Sequence, residues 1–357
     1  MGSEAASFDH ARHWISALVE SPPTLPDGRP LLASVLLFGT VPNLVFVLYV
    51  ALRGDELTGR FLFAISLTVV ALNVGPYLVW YYDEHVLPQF FAKATELLPA
   101  SRLDELATTY DRFFARRYWV LGLALAAAFG YTFIRSTEFL VRTGVFEPGG
   151  PFSYLLFALV VWAGFLGGVG FHGVLTTLRL VSEVASEDLS IDPLHPDKLG
   201  GLSVVGYYAI RTTVIFSAGS LFIPLAYQFI ALSRYGYLIY VLVGFYAFFL
   251  LLSFVVPTVQ VNRRANELRS AVLDDLRAEY QTVEQKLSRN GEVGAGADER
   301  VDELILELQA QRVRNEYEDY EQVQLYPMEI QILTRLVGSV LLPLAFLVLE
   351  VWLNHAL

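Results

Sequence analysis

The chain is predicted to be an all-α polytopic membrane protein. Seven transmembrane helices are expected, N-terminus inside and C-terminus outside, with a cytoplasmic helical hairpin between helices 6 and 7. Three observations predict this. Of 357 residues, 54% are hydrophobic and 14% aromatic, and the mean hydropathy is +0.47. Seven apolar runs are long enough to cross a hydrocarbon layer of roughly 30 Å. The last two runs are separated by the polar stretch 260–327, in which apolar residues recur at helical spacing. The expected organisation is therefore a cytoplasmic N-terminal tail (1–29), a six-helix membrane region (30–259), the hairpin (260–327) and a final membrane helix (328–357).

The tail lacks the basic start and apolar core of a secretory signal. Its Phe8, Trp14, Ile15, Leu18 and Val19 suit a short helix lying on the membrane surface, or a loosely ordered tail. Span 1 is expected over 30–52, interrupted at Pro42-Asn43, and span 2 over 61–82, containing Asn73 and Gly75-Pro76. The stretch 83–117 reads as an amphipathic cytoplasmic segment. Its Arg112, Arg116 and Arg117 stand beside aromatics, as interfacial anchors do. Spans 3 and 4 follow at 118–134 and 152–178. A polar loop (179–201) leads to span 5 (202–232), where Pro224 predicts a kink. Span 6 (237–259) runs into the polar stretch, whose first stripe includes Val261, Ala265, Leu268, Val272, Leu276 and Val283. Val301, Leu304, Ile305 and Leu308 open a second stripe after the Gly-rich loop 288–300, and span 7 covers 332–353.

Orientation follows from basic residues. With the hairpin inside, the inner segments hold 19 Lys and Arg and the outer ones 5. Long loops weigh little in this rule, and without the hairpin the count is still 9 against 5. The expected location is the cell membrane, multi-pass, with the lipid bilayer as the first partner.

Composition excludes several classes. No cysteine is present, which removes disulfide frameworks, thiolate metal sites and cysteine nucleophiles. The net charge of −11 argues against nucleic acid as a partner. Acid-rich, lysine-poor and cysteine-free, the composition resembles that of salt-adapted archaea. The sequence contains no nucleophile elbow, zinc-peptidase helix or phosphate-cradling loop, so no enzyme activity and no cofactor are expected.

Candidate functional residues fall into three groups. The loop Asp192-Pro193-Leu194-His195-Pro196-Asp197 is stiffened by two prolines and gathers Asp192, His195 and Asp197 within six residues. It suits a divalent ion or a pH-sensitive gate. The ligand set is incomplete for a metal, and the favoured reading is a rigid turn whose Asp197 caps span 5. Within the spans, Asn43, Asn73, His172 and Arg211 are candidates for a polar pathway or for interhelical bonding. Arg335 and Glu350, near span ends, are expected to snorkel. In span 4, Gly168-x-Gly170-x-x-Gly173 has the letters of a dinucleotide fingerprint but follows no strand. Gly164, Gly167, Gly170 and Gly173 instead form a side-chain-free stripe, and Gly164/Gly168 has small-xxx-small spacing; both are expected to let another helix approach closely.

Seven spans of this orientation, with a long cytoplasmic helical insert before the last, resemble the plan of the insect odorant and gustatory receptor superfamily of seven-span ion channels. The resemblance implies a tetramer with the final span lining a central pore and 261–326 forming much of a cytoplasmic anchor. Thr334, Gly338 and Ser339 would then be the small or polar positions of the pore lining. The last span reads Leu336-Val337-Gly338-Ser339-Val340-Leu341-Leu342-Pro343 and lacks the family's Thr-Tyr…Gln-Phe signature. The expected function is an oligomeric ion channel of chemoreceptor type. Two alternatives are a non-conducting receptor or scaffold that holds a cytoplasmic partner through the hairpin, and a transporter using His172 and Arg211.

Overall fold

Residues with long apolar runs and few breakers form helices, and all seven expected spans do so. The computed structural model describes residues 12–20, 29–53, 59–135, 150–187, 189–195, 197, 199–230, 236–290, 297–323 and 330–356. Among them are a short helix α1 (Trp14–Glu20), α2 (Pro30–Leu52), α3 (Gly59–Ala94), α4 (Ala100–Arg135) and α5 (Pro151–Ala185). After these come α6 (Ser203–Phe229), α7 (Leu238–Asn290), α8 (Ala297–Gln322) and α9 (Ile330–Ala356). No strand occurs among the described residues. Seven of these helices, all but α1 and α8, are long and apolar enough to cross a membrane. Of the expected loop 288–300, residues 288–290 end α7 and 297–300 begin α8, while 291–296 lie outside the described residues, as do the tail before residue 12 and the stretches 136–149 and 231–235.

Prolines mark the irregular turns. In α2 a π-turn (Val35–Gly39) precedes Pro42, whose ring would crowd the carbonyl four residues back. In α6 a 3₁₀ turn (Ala218–Phe222) precedes Pro224 in the same way.

The amphipathic stretch 83–117 is built as two extensions of neighbouring spans. Helix α3 continues past Tyr82 through a π-turn (Tyr82–Val86), and α4 begins at Ala100 and enters its span with no break at Arg117-Tyr118. Neither Gly nor Pro interrupts 100–118, so helix propagation is cheaper than a new nucleus. These extensions build the most extensive buried cluster of the protein. Leu87, Phe90, Leu97, Tyr110 and Phe114 pack there with Leu180, Leu202, Tyr208 and Val261.

The same cluster takes in Val323, just beyond α8. The second half of α7 lies along α8, where Arg277 Nη2 donates to the Tyr317 hydroxyl at 3.2 Å. Arg269 Nη1 donates to the carbonyl of Val323 at 3.0 Å.

Helix α1 buries one face, with Ile15, Ser16 and Val19 inward and Trp14 and Leu18 exposed. Its entry is capped by His13, whose Nδ1 accepts from the Ile15 amide at 3.2 Å. The His13 amide donates to Asp83 Oδ2 at 2.9 Å. Burial first, and then the neighbouring His172, push the His13 imidazole down to about 3, which keeps the ring neutral as an acceptor.

Candidate functional site

The glycines of α5 decide where space is left between the spans. At three-residue spacing the helical direction drifts by about 60° per step, so Gly164 and Gly173 end on opposite sides. The structure divides the expected stripe accordingly. Gly164 and Gly168 face α4: a Cβ on Gly164 would stand 2.7 Å from the Leu125 carbonyl oxygen, and one on Gly168 would collide with the Leu121 carbonyl. Gly167, Gly170 and Gly173 border a cavity instead, and a Cβ on Gly167 would meet nothing within 4 Å.

That cavity has a volume of about 360 Å³. Its walls come from α3 (Gly75, Leu78), α4 (Leu121, Leu125, Phe129), α5, α6 (Phe216, Phe222) and α7 (Leu242, Phe245, Phe249). They are almost wholly apolar. Tyr82 and Thr212 are among the lining residues. The Tyr82 hydroxyl is 2.9 Å from that of Tyr208 and 3.2 Å from Thr177 Oγ1, which is itself 3.1 Å from Thr212 Oγ1. Tyr246 also lines the cavity, but its hydroxyl donates to the Phe216 carbonyl at 2.5 Å. Volume and lining fall in the range of small-molecule sites, and among the described residues no Asp, Glu, Lys, Arg or His lines it, so an occupant would have to be neutral and apolar. No motif in the sequence pointed to this chamber. Its one signal was the set of glycines at 167, 170 and 173, which serve space rather than contact.

The intramembrane candidates are bonded to neighbouring helices. Asn43 and Asn73 form a reciprocal amide pair between α2 and α3, with N–H···O distances of 3.0 and 2.9 Å. Asn73 Nδ2 also donates to the Val69 carbonyl at 2.7 Å. Gly39 makes this approach possible, since a Cβ there would overlap Asn73 Oδ1. His172 Nε2 lies 3.0 Å from the Phe113 carbonyl of α4, and Arg211 donates to Gln89 Oε1. None of these four residues lines the cavity.

Glu350 does not snorkel. It is fully buried where the end of α9 meets α3 and α6, 3.3 Å from Arg60 Nη2 and bonded to Gln228 Nε2 at 2.8 Å. Packing turns this face of α9 inward, so the carboxylate meets a guanidinium and an amide rather than the interface. Arg335 is exposed. On α9, Thr334 and Gly338 lie on the exposed face, whereas Ser339 is buried with Leu336 and Pro343 on the inward one.

The proline-stiffened loop folds back on itself. Asp197 Oδ1 accepts from the Leu199 and Gly201 amides at 2.8 and 3.2 Å, and Oδ2 from Ser203, the first residue of α6, at 3.3 Å. Gly200 and Gly201 take φ of +66° and +90°, conformations that cost other residues strain. His195 bridges two carboxylates, Glu96 Oε2 at 3.0 Å and Asp197 Oδ1 at 2.7 Å. Burial pulls its imidazole down, but Asp197 and then Glu96 outweigh that and hold it above the ordinary value. Burial raises the Asp197 carboxyl, and the backbone donors of Leu199 and Gly201 with His195 bring it below the usual range. Asp192 stands apart from this pair, its Oδ1 accepting from the Leu194 amide at 2.9 Å. Among the described residues no group of three His, Cys, Asp or Glu gathers at metal-binding distance.

Fold and chamber together define the class: an all-helical protein with seven helices able to cross a membrane and an apolar cavity between them. Compared with protein-family models, with curated proteins and with solved structures, the chain matches none.

Proposed function

We propose that the chain is a subunit of a homo-oligomeric membrane receptor of the ion-channel type. A neutral apolar small molecule enters the cavity between α3, α4, α5, α6 and α7, and its binding biases conduction along α9. The N-terminus is inside, the C-terminus outside, and the α7–α8 hairpin projects into the cytoplasm. The observation that carries this reading is the cavity, whose lining is almost wholly apolar. Support for assembly comes from α8, where Val301, Leu304, Ile305 and Leu308 lie on one face and are 47–60% exposed on an otherwise polar helix. A second copy of the chain would cover them. In α9, Gly338 and Leu341 face outward from the single subunit, which suits a helix placed against its symmetry mates. The transporter reading gains nothing here, because His172 and Arg211 are both engaged with structural partners.

The test uses purified full-length protein in vesicles, with N-phenyl-1-naphthylamine as the neutral apolar probe. Wild type should bind it above the vesicle background, and Gly167→Phe, which fills open space, should not. Probe-dependent ion flux from an oligomer supports the channel. Binding without flux favours the non-conducting receptor, and equal probe signals from wild type and variant would end the ligand reading.

A further inference from the structure

The arginines at the head of the α4 span assign it a lipid. Helix α4 has 36 residues, about 54 Å, and is longer than the roughly 30 Å hydrocarbon layer. Its uncharged stretch lies between Arg117 and Arg135, about 27 Å apart along the axis. The hydrocarbon layer therefore ends at the turns that carry Arg112 and Arg116.

Three features distinguish these two residues. First, both are exposed, and neither takes part in an ion pair or hydrogen bond among the described residues. Their neighbours are engaged: Arg117 lies over the Phe113 ring at 5.8 Å, and Arg179 lies over the same ring at 5.3 Å and pairs with Glu183. Second, the spacing of four puts both guanidinium groups on one helical face, one turn apart. Third, that same face continues into the span as Trp119 and Leu123, which are 53% and 56% exposed. Charge and apolar surface thus follow one another along a single stripe, in the order in which a lipid presents headgroup and chain.

We propose that Arg112 and Arg116 hold the phosphate of one anionic phospholipid on the leaflet at the α8 end of the bundle, with an acyl chain lying along Trp119 and Leu123. Guanidinium groups offer paired donors to phosphate oxygens. A zwitterionic headgroup would bring its own cation against the two arginines, so the site discriminates by charge. The proposal requires neither conduction nor a ligand in the cavity.

Native mass spectrometry of the full chain, offered equal phosphatidylglycerol and phosphatidylcholine of the same acyl composition, tests it. Wild type should retain the anionic lipid about tenfold over the zwitterionic one. The double variant R112Q/R116Q should fall to near parity with an unchanged melting temperature, and the exposed control R312Q should behave as wild type. Inorganic phosphate in excess should leave the bound lipid in place. Equal retention of both lipids by wild type, an unchanged preference in the double variant, or displacement by free phosphate would each overturn the assignment.

Discussion

His195 Nδ1 stands 2.7 Å from Asp197 Oδ1. The other ring nitrogen, Nε2, stands 3.0 Å from Glu96 Oε2, and the Asp197 amide donates to Nδ1 at 3.3 Å. The bridge ties the α3–α4 connection to the loop that starts α6. The backbone of the same loop meets both neighbours: the Ser190 amide donates to the Leu97 carbonyl at 2.9 Å, and the Tyr320 hydroxyl of α8 to the Ile191 carbonyl at 3.5 Å.

This pair makes stability depend on pH in a defined direction. The folded His195 value is raised above 6.5, so its contribution is full below 6.5 and is lost as pH rises through the raised value. The folded Asp197 value is depressed below 3.8, so its contribution is full above 3.8 and is lost as pH falls through the depressed value. Melting of the purified protein should therefore be highest between these limits. His195→Gln should flatten the alkaline limb by about 0.5–1 kcal/mol, because Glu96 is half exposed. An alkaline limb of unchanged slope in the variant would remove His195 as its source.

Asp197 also serves three backbone donors at the entrance to α6. Asp197→Ala should cost about 1–2 kcal/mol, with Asp197→Asn recovering part of it. Amide exchange at Gly201 and Ser203 is the readout, and protection there should fall before that of the α6 interior.

The Asn43–Asn73 pair predicts a coupling. Substituting either by Leu leaves the other amide unpaired between two spans, so the two single variants and the double should be non-additive. Measured couplings of this kind average about 0.6 kcal/mol and reach about 1.7. Gly39→Ala should mimic the loss of the pair, because the added methyl overlaps Asn73 Oδ1. Additive unfolding energies would show that the amides act independently.

Glu350 is costly to leave and costly to remove. Its Oε1 is buried with no partner among the described residues, while Oε2 holds Arg60 and Gln228. Glu350→Leu removes the buried carboxylate that faces the Arg60 guanidinium at the junction of α3, α6 and α9, and should destabilise by up to about 3 kcal/mol. The double variant Arg60→Met/Glu350→Leu should be milder than the single one, since the facing guanidinium is removed together with the carboxylate. A double variant worse than either single would mean that the pair contributes more than it costs.

Much of the architecture was legible without coordinates because membrane helices obey length and apolarity more than partners. A run such as 237–259 can only be a helix in lipid, since its backbone must bond to itself. What extended beyond the runs was less legible. The segment 83–117 reads as amphipathic whether it lies on a surface or folds as helix extensions, and only its packing against Leu180, Leu202 and Val261 separates the two. The site was hardly legible at all. A cavity is an absence of side chains, and Gly167, Gly170 and Gly173 give the same letters whether a helix or an empty volume lies beside them.

The sequence by itself determined an all-helical protein with seven apolar helices, the breaks near Pro42 and Pro224, and the cap from Asp197. Each of these depends on local chemistry: backbone bonds that must be met in lipid, rings that cannot donate, and a carboxylate near free amides. Tertiary structure alone decided that Glu350 is buried against Arg60, that Ser339 turns inward while Gly338 turns out, and that five helices leave a chamber between them. These depend on which faces meet across long sequence separations, and helical spacing fixes a residue's face without naming what that face will touch.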